Sequence, residues 1–301
     1  MRSVLAFVRL GRPLFLGGGF LLFALGAAVA AWSGHTIDVS RYVLGQLAVT
    51  SFQLMTHYAN DYFDYEADVA NLTPTRWSGG SRVLPRGELP RGAALGGALG
   101  GAALGFVMTA LLVPGSGPWT LPTLIAIFVL AWSYSAPPLR MCASGAGELD
   151  TAIVVTVLVP WLGFSLQAPD LVGLRLLGLA IVPLALLQFA MLLAIEFPDA
   201  RGDAASSKKT LVVRLGAARA ALLYVVVTAA AYLWLPVAMA LGLPVRVGLA
   251  AALLAPVAVW RIVRIAEHRQ AHAFERLTFA SVFLLVGTTL AELVAFVASA
   301  K

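Results

Sequence analysis

The run Asn60-Asp61-Tyr62-Phe63-Asp64-Tyr65-Glu66-Ala67-Asp68 places several carboxylates at the end of a segment, near 42–62, that is long enough to cross a membrane. This segment is the least apolar of nine such segments in the chain. Because polar groups in bulk lipid are costly, we expect its helix to face a cavity lined by protein. At about 100° per residue, Asn60, Asp61, Asp64 and Asp68 would share one face of a continuous helix. The run therefore predicts an acidic site at the end of a membrane helix.

The composition of the whole chain is that of a polytopic membrane protein. Of its 301 residues, 60% are hydrophobic and 12% are charged, whereas a soluble domain has about 25% charged residues. A membrane helix needs about 20 mostly apolar residues. Such segments lie near 14–33, 42–62, 93–113, 118–136, 150–167, 172–195, 216–240, 246–263 and 278–299. We predict one all-α integral membrane domain over residues 1–301, with nine transmembrane helices in a bundle around a central cavity.

Lys and Arg residues are divided unequally between the two sides of this predicted bundle. Of these residues, 17 fall on the side of the N-terminus and 4 on the other side. Cytoplasmic loops of membrane proteins are enriched in Lys and Arg, so we predict a cytoplasmic N-terminus. The net charge of +6 is then explained by membrane orientation, and no nucleic-acid partner is expected. The loops on this side, about 63–92, 137–149 and 196–215, are predicted to form the active site.

A second acidic stretch, Glu196-Phe197-Pro198-Asp199-Ala200-Arg201-Gly202-Asp203, follows the sixth predicted span. If it is helical, Asp199 and Asp203 lie one above the other. Solvated loop charge would explain either stretch alone, but together they hold seven of the 15 acidic residues and share one membrane face. Two such clusters repel each other unless a cation lies between them. Hard carboxylate oxygens suit Mg²⁺, which is often shared with substrate phosphates, so we predict a metal–diphosphate site.

These motifs resemble those of the UbiA superfamily of intramembrane prenyltransferases, which carries NDxxDxxxD after its second helix, DxxxD after its sixth and a nine-helix fold. Further similar stretches are Arg12-Pro13, Ser78-Gly79-Gly80-Ser81-Arg82-Val83-Leu84, Tyr134-Ser135-Ala136-Pro137-Pro138-Leu139-Arg140 and Gly145-Ala146-Gly147-Glu148. The stretch Lys208-Lys209-Thr210-Leu211-Val212-Val213-Arg214-Leu215-Gly216 resembles the GKxTLVVRLG of the naphthoate-prenylating branch. In that comparison Ser207 replaces a glycine, and Ile195-Glu196 stands where the branch often has an Asn pair.

The resemblance implies an enzyme that uses Mg²⁺ to transfer a polyprenyl group from an isoprenyl diphosphate to an aromatic acceptor within the membrane lipid. The acceptor expected first is 1,4-dihydroxy-2-naphthoate, in menaquinone biosynthesis at a bacterial-type inner (plasma) membrane. The alternatives are 4-hydroxybenzoate, homogentisate, or a lipid or tetrapyrrole alcohol.

The resemblance also implies roles for individual residues. The residues expected to hold the metal are Asn60, Asp64, Asp68, Asp199 and Asp203. The residues expected to be catalytic are Asp61, Asp64, Asp68, Asp199, Asp203 and Tyr134. The residues expected to bind substrate are Asn60, Arg12, Arg82, Arg140 and Lys208.

A transporter for divalent cations or organic anions is the main alternative class. It would also place acids in a helix bundle, but typically near the midplane and on broken helices. The two acidic stretches here are predicted at one edge of the bundle, which favours an enzyme acting on a head group at the interface. A phospholipid head-group phosphotransferase would need a denser aspartate motif than the chain contains. A binding protein that had lost catalysis is disfavoured by the intact aspartates.

Two further polar side chains are assigned structural roles. His57 precedes Asp61 by one helical turn and could touch a substrate, but polar packing along the cavity wall is the preferred interpretation. Cys142 is the single cysteine, so it cannot form an internal disulfide, and it is interpreted as inert packing.

Overall fold

The computed structural model describes residues 2–299, except for the side chains of Arg2 and Ser299. The side chain of Arg2 and the whole of Lys301, which both enter the charge count above, lie outside the described residues. All regular structure within residues 2–299 is helical, as predicted from the composition.

The first half of the bundle surrounds the first acidic stretch. Its helices are α1 Arg2–Leu10, α2 Pro13–Trp32, α3 Val39–Phe63, α4 Tyr65–Ala70, α5 Arg91–Leu112, α6 Thr120–Ser133, α7 Met141–Ser144, α8 Gly147–Ile153 and α9 Val159–Ser165. A π-helical turn, Val154–Leu158, joins α8 to α9.

The second half carries the second acidic stretch on its first helix. Its helices are α10 Leu174–Ala205, α11 Leu211–Leu215, α12 Ala217–Ala240, α13 Val245–Ala252, α14 Ala255–Val263 and α15 Phe274–Ser299. Two short 3₁₀ turns, Ile265–Arg269 and Ala271–Ala273, connect α14 to α15.

Seven helical segments within residues 2–299 are long and apolar enough to cross a membrane. Helix α3 is not among them because it carries a polar face, and α6 is not because it has only 14 residues. At about 1.5 Å per residue, the 32 residues of α10 exceed the roughly 30 Å of a bilayer core. Asp199 and Asp203 therefore lie on a helical extension, and the loop predicted from residue 196 begins only after Ala205.

Helix α3 packs its apolar face against α5, and this contact turns its polar face towards the cavity. Gly101 of α5 lies so close to α3 that a Cβ atom there would be 3.0 Å from both the Met55 nitrogen and the Ser51 carbonyl oxygen. The rings of Phe52 and Tyr58 cover two further glycines of α5. Small residues inside a membrane helix allow this close backbone approach. The glycine-rich sequence of α5 is thus a packing surface that fixes the orientation of α3.

We expect Gly101→Val to lower the free energy of unfolding by about 1–3 kcal/mol, because the added methyl groups would force α5 away from α3. The matched control is Gly100→Val, since a Cβ at Gly100 meets no atom of residues 2–299 within 4 Å. Thermal unfolding of the detergent-purified variants would check this, and equal stability of the two would contradict the close contact.

Candidate active site

A cavity of about 240 Å³ lies within the helix bundle, and the ends of α3 and α10 form its polar end. Its apolar wall comes from α2, α3, α6, α10 and α15, with side chains that include Phe15, Leu22, Phe52, Ile127, Met191 and Val286. Eight of the eleven predicted site residues line it, namely Arg12, Asn60, Asp64, Asp68, Tyr134, Asp199, Asp203 and Lys208. The cavity therefore has a charged end that continues into an apolar chamber.

The two acidic stretches meet at the side chain of Lys208. Its Nζ lies 2.8 Å from Oδ2 of Asp64 and 3.6 Å from Oδ1 of Asp203. Asn60 also donates a 2.8 Å hydrogen bond from Nδ2 to Oδ2 of Asp64. Burial alone would lower the pKa of Lys208, but the neighbouring groups, Asp64 first among them and Asp203 also, together outweigh it and the pKa is well above its usual value. Lys208 is therefore a fixed positive charge between the two stretches.

Asp61 points away from the cavity and holds neighbouring segments together. Arg12 donates from Nη2 to Oδ1 of Asp61 at 2.7 Å and to Oδ1 of Asn60 at 3.0 Å. Ser81 donates to the same carboxylate from its backbone nitrogen, at 3.2 Å, and from its hydroxyl. Asp61 is only 1% exposed. The expected common face breaks down because α3 ends at Phe63, so Asp61 and Asp68 belong to different helices.

The loop after α4 is bound to Asp199 on α10. Asn71 donates from Nδ2 to Oδ1 of Asp199 at 2.7 Å, and the backbone nitrogen of Gly79 donates to Oδ2 at 3.0 Å. Thr73 adds a 2.8 Å bond from its hydroxyl to the carbonyl oxygen of Pro198. Gly79 has φ of 73°, a left-handed conformation that favours glycine. Asn71 was missed by the sequence analysis, and only its place between the acidic motif and the glycine pair hinted at it.

Asp68 faces the cavity from α4, whereas Arg82 contacts the backbone of Asp68 on the side away from the cavity. Burial raises the pKa of Asp68 well above its usual value, and the nearby Arg12 only partly opposes this. Arg82 donates from Nη1 to the backbone carbonyl oxygen of Asp68 and does not line the cavity. Arg82 thus stabilises the loop in this structure, and its role in substrate binding stays a prediction.

The connection between α6 and α8 borders Asp64 on its other side. Nη2 of Arg140 lies 3.9 Å from Oδ1 of Asp64, and Arg140 lines an adjoining recess shared with Asp64 and Lys208. Sγ of Cys142 lies 3.7 Å from Oδ2 of Asp64. Burial raises the pKa of this thiol, which disfavours the reactive thiolate. Tyr134 presents its aromatic side chain to the cavity itself.

The arrangement suits a metal that is shared with a phosphorylated ligand. Within residues 2–299, no three His, Cys, Asp or Glu side chains lie close enough to ligate one metal ion by themselves. Mg²⁺ usually takes only one or two carboxylates, and waters and substrate phosphates supply the rest. Oδ2 of Asp203 is buried with no hydrogen-bond partner in the part of the chain that the structure describes, and Asp64 faces the same ammonium group. These oxygens fit a shared Mg²⁺ and not a cage made of protein ligands alone.

Residues 20–294 match the UbiA prenyltransferase family. The chain belongs to this family. It is 29% identical over 289 residues to a digeranylgeranylglyceryl phosphate synthase of Thermococcus gammatolerans, with 93% of this chain and 95% of the relative covered. It is 30% identical over 227 residues to a 1,4-dihydroxy-2-naphthoate octaprenyltransferase of Mycobacterium tuberculosis, with 74% of each chain covered.

The fold is also similar to solved members of the UbiA family. A UbiA homolog of Archaeoglobus fulgidus, solved with GPP and Mg²⁺ bound, superposes with a TM-score of 0.63 at 18% identity, covering 95% of this chain and 99% of the homolog. The predictions of family and of enzyme class are therefore confirmed. The chain is a UbiA-family prenyltransferase, and the transporter alternative is set aside.

Asp150, which lines the cavity of this prenyltransferase from α8, was not predicted from the sequence. A signal was available, because Asp150 stands at the edge of a predicted apolar span and ionisable residues there often serve function. Glu148 was singled out instead, as part of the similar stretch Gly145-Ala146-Gly147-Glu148.

We expect Lys208→Met to lower the free energy of unfolding by about 3 kcal/mol, because it leaves Asp64 buried without its principal cation. The adjacent Lys209 has an exposed side chain, so Lys209→Met is the matched control and should be close to wild type. Thermal and denaturant unfolding of purified protein would measure this. An unchanged Lys208→Met variant would argue against the ion pair.

Proposed function

We propose that this prenyltransferase uses Mg²⁺ to transfer a polyprenyl group from an isoprenyl diphosphate to 1,4-dihydroxy-2-naphthoate, as a step of menaquinone biosynthesis. The observation that carries the proposal is the convergence of both acidic stretches on Lys208 at the polar end of an apolar cavity. Such a cavity matches a donor that has a charged diphosphate head and a hydrocarbon tail.

The diphosphate binds at the polar end in this proposal. Asp64, Asp68, Asp199 and Asp203, with Asn60, would hold Mg²⁺, which as a Lewis acid stabilises the negative charge of the departing diphosphate. Lys208 and Arg12 reach the same space and bind phosphate oxygens directly, Lys as a point charge and Arg as a bidentate donor. The Mg²⁺ and GPP bound to the Archaeoglobus fulgidus homolog support the choice of Mg²⁺ and an isoprenyl diphosphate as ligands.

The apolar chamber protects the reacting carbon. As the C–O bond of the donor breaks, positive charge develops on the allylic group, and water would quench it to the alcohol. The walls of the chamber exclude water, and the face of Tyr134 stabilises the cation. The acceptor ring then forms the new C–C bond while its carboxyl group leaves as carbon dioxide.

A second candidate acceptor is a glyceryl lipid. The naphthoate proposal is supported by the stretch Lys208–Gly216 and by the Mycobacterium tuberculosis relative, which covers 74% of the chain. The match to the digeranylgeranylglyceryl phosphate synthase of Thermococcus gammatolerans covers 93% of the chain and supports an acceptor of the glyceryl phosphate class. Both reactions use the same donor chemistry and differ only in the acceptor.

The proposed setting is a bacterial-type plasma membrane, with nine spans and a cytoplasmic N-terminus. This topology adds α3 and α6 to the seven apolar helical segments found in residues 2–299. It is supported by the division of Lys and Arg residues, 17 against 4, since cytoplasmic loops are enriched in these residues. The polar end of the cavity then opens to the cytoplasmic side, where soluble Mg²⁺ is available.

We expect Asp64→Asn and Asp199→Asn each to reduce turnover at least about 100-fold, because each removes a carboxylate that would hold the Mg²⁺ needed to neutralise the leaving diphosphate. Helical content should stay unchanged, since Lys208 keeps Asp203 as a partner in Asp64→Asn. The measurement is transfer of a labelled polyprenyl group to 1,4-dihydroxy-2-naphthoate with Mg²⁺, with and without chelator. Asp170→Asn is the control, because Asp170 is exposed at the opposite end of α10. Full activity in both site variants would refute the metal–diphosphate assignment.

The acceptor can be identified with a panel. We expect 1,4-dihydroxy-2-naphthoate to raise the unfolding temperature of the purified protein more than 4-hydroxybenzoate, homogentisate or geranylgeranylglyceryl phosphate does, because a ligand that binds the folded state stabilises it. Transfer assays with the same compounds provide the second measurement. Selective stabilisation and product formation with the glyceryl lipid would instead establish the second candidate.

A further inference from the structure

Two polar side chains interrupt the apolar wall of the cavity below its charged end. They are His57 on α3 and Asp150 on α8, and both line the cavity. Nε2 of His57 and Oδ1 of Asp150 are buried without a hydrogen-bond partner among the described residues. Asp150 is 4% exposed, and within the described part of the chain no neighbouring charge offsets its burial. Leaving a buried polar atom unpaired is costly, so these atoms point to a ligand that pairs with them.

The position of both residues relative to the diphosphate end follows from helix geometry. Gly147, at the start of α8, packs against Tyr134 and Cys142, and Cys142 in turn contacts Asp64. Asp150 is three residues further along α8, about 4.5 Å deeper at the α-helical rise. His57 precedes Asp64 by seven residues, which places it about 10 Å below Asp64 along α3. The two side chains therefore lie beneath the charged end.

The chemistry of the two substrates decides which of them these groups recognise. The polyprenyl tail is a hydrocarbon and has no hydrogen-bond donor for a carboxylate. The acceptor must approach the reacting carbon from the side away from the diphosphate, which is the side below the charged end. Both candidate acceptors carry a hydroxyl group at or next to their nucleophilic atom.

We propose that Asp150 and His57 form the acceptor subsite of this enzyme, with Asp150 accepting a hydrogen bond from a hydroxyl group of the acceptor. The inference rests on the proposed function and adds to it the group that recognises the acceptor. A site built to bond a hydroxyl rejects analogues that lack it, because its own polar group is then left unpaired. Asp150 thus selects hydroxylated acceptors, whether aromatic or glyceryl.

The first test compares Asp150→Leu with Asp150→Asn. Loss of a hydrogen bond to a charged group raises the acceptor KM of Asp150→Leu roughly tenfold or more, while the donor KM stays at the wild-type value. Asp150→Asn keeps an oxygen that accepts a hydrogen bond, so its acceptor KM rises less. Asp170→Leu is the control for loss of a carboxylate outside the cavity. An unchanged acceptor KM in Asp150→Leu, or an equal rise in both KM values, overturns the proposal.

The unfolding temperature measured without ligand distinguishes a role of Asp150 in acceptor recognition from a structural role. Asp150→Leu removes a buried carboxyl that has an unpaired oxygen, so its unfolding temperature equals or exceeds that of wild type. A structural role for Asp150 would lower that temperature, and this result would contradict the proposal. Addition of acceptor then raises the unfolding temperature of wild type but has little effect on Asp150→Leu.

Two parallel comparisons identify which acceptor supplies the hydroxyl group that Asp150 binds. One arm compares 1,4-dihydroxy-2-naphthoate with its O-methyl ethers, and the other compares geranylgeranylglyceryl phosphate with its O-methyl ether. In the arm that matches its acceptor, the ether raises the unfolding temperature of wild type less than the free hydroxyl compound does. For Asp150→Leu the two compounds have the same effect. If Asp64→Asn retains full transfer, the proposed function fails. If Asp64→Asn is inactive but Asp150→Leu binds acceptor like wild type, only the acceptor subsite fails.

Discussion

The ammonium group of Lys208 lies between carboxylates from the two acidic stretches, 2.8 Å from Asp64 and 3.6 Å from Asp203. Carboxylates brought together at a buried site repel each other unless positive charge lies between them. Lys208 supplies that charge and so allows the ends of α3 and α10 to approach. The rest of the site depends on this approach, because it forms the polar end of the cavity.

Two structural devices keep the polar end and the apolar chamber distinct. The glycine-rich α5 lets α3 pack backbone to backbone at Gly101, which directs His57 and Asn60 towards the cavity. Above them, the loop after α4 is held by Asp61 through Ser81 and by Asp199 through Asn71. Asp61 therefore only positions the loop, Asp199 holds the loop and also lines the cavity, and Asp64, Asp68 and Asp203 face the substrate space.

Buried carboxylate oxygens that lack a hydrogen-bond partner within the described residues mark the places where a ligand is needed. Asp203 keeps an unpaired oxygen at the charged end, and Asp150 keeps one in the chamber below. Such groups lower stability in the absence of a ligand, and functional sites commonly carry this cost. The position of Asp203 matches the diphosphate, which departs at the polar end of the cavity. The deeper position of Asp150 matches the acceptor, which attacks from below that end.

The sequence by itself determined the helical membrane class, the family, and most of the charged residues at the polar end of the cavity, because apolar segment length and local motifs are properties of contiguous residues. It could not determine that Asp61 turns towards Arg12, that Arg82 bonds to the backbone of Asp68, or that α10 carries Asp199 and Asp203 as helix beyond residue 196. Nor did it single out Asp150, whose importance lies in the absence of a partner. Those features depend on which side chains from distant segments come within hydrogen-bond distance, and only the packing of whole helices decides that.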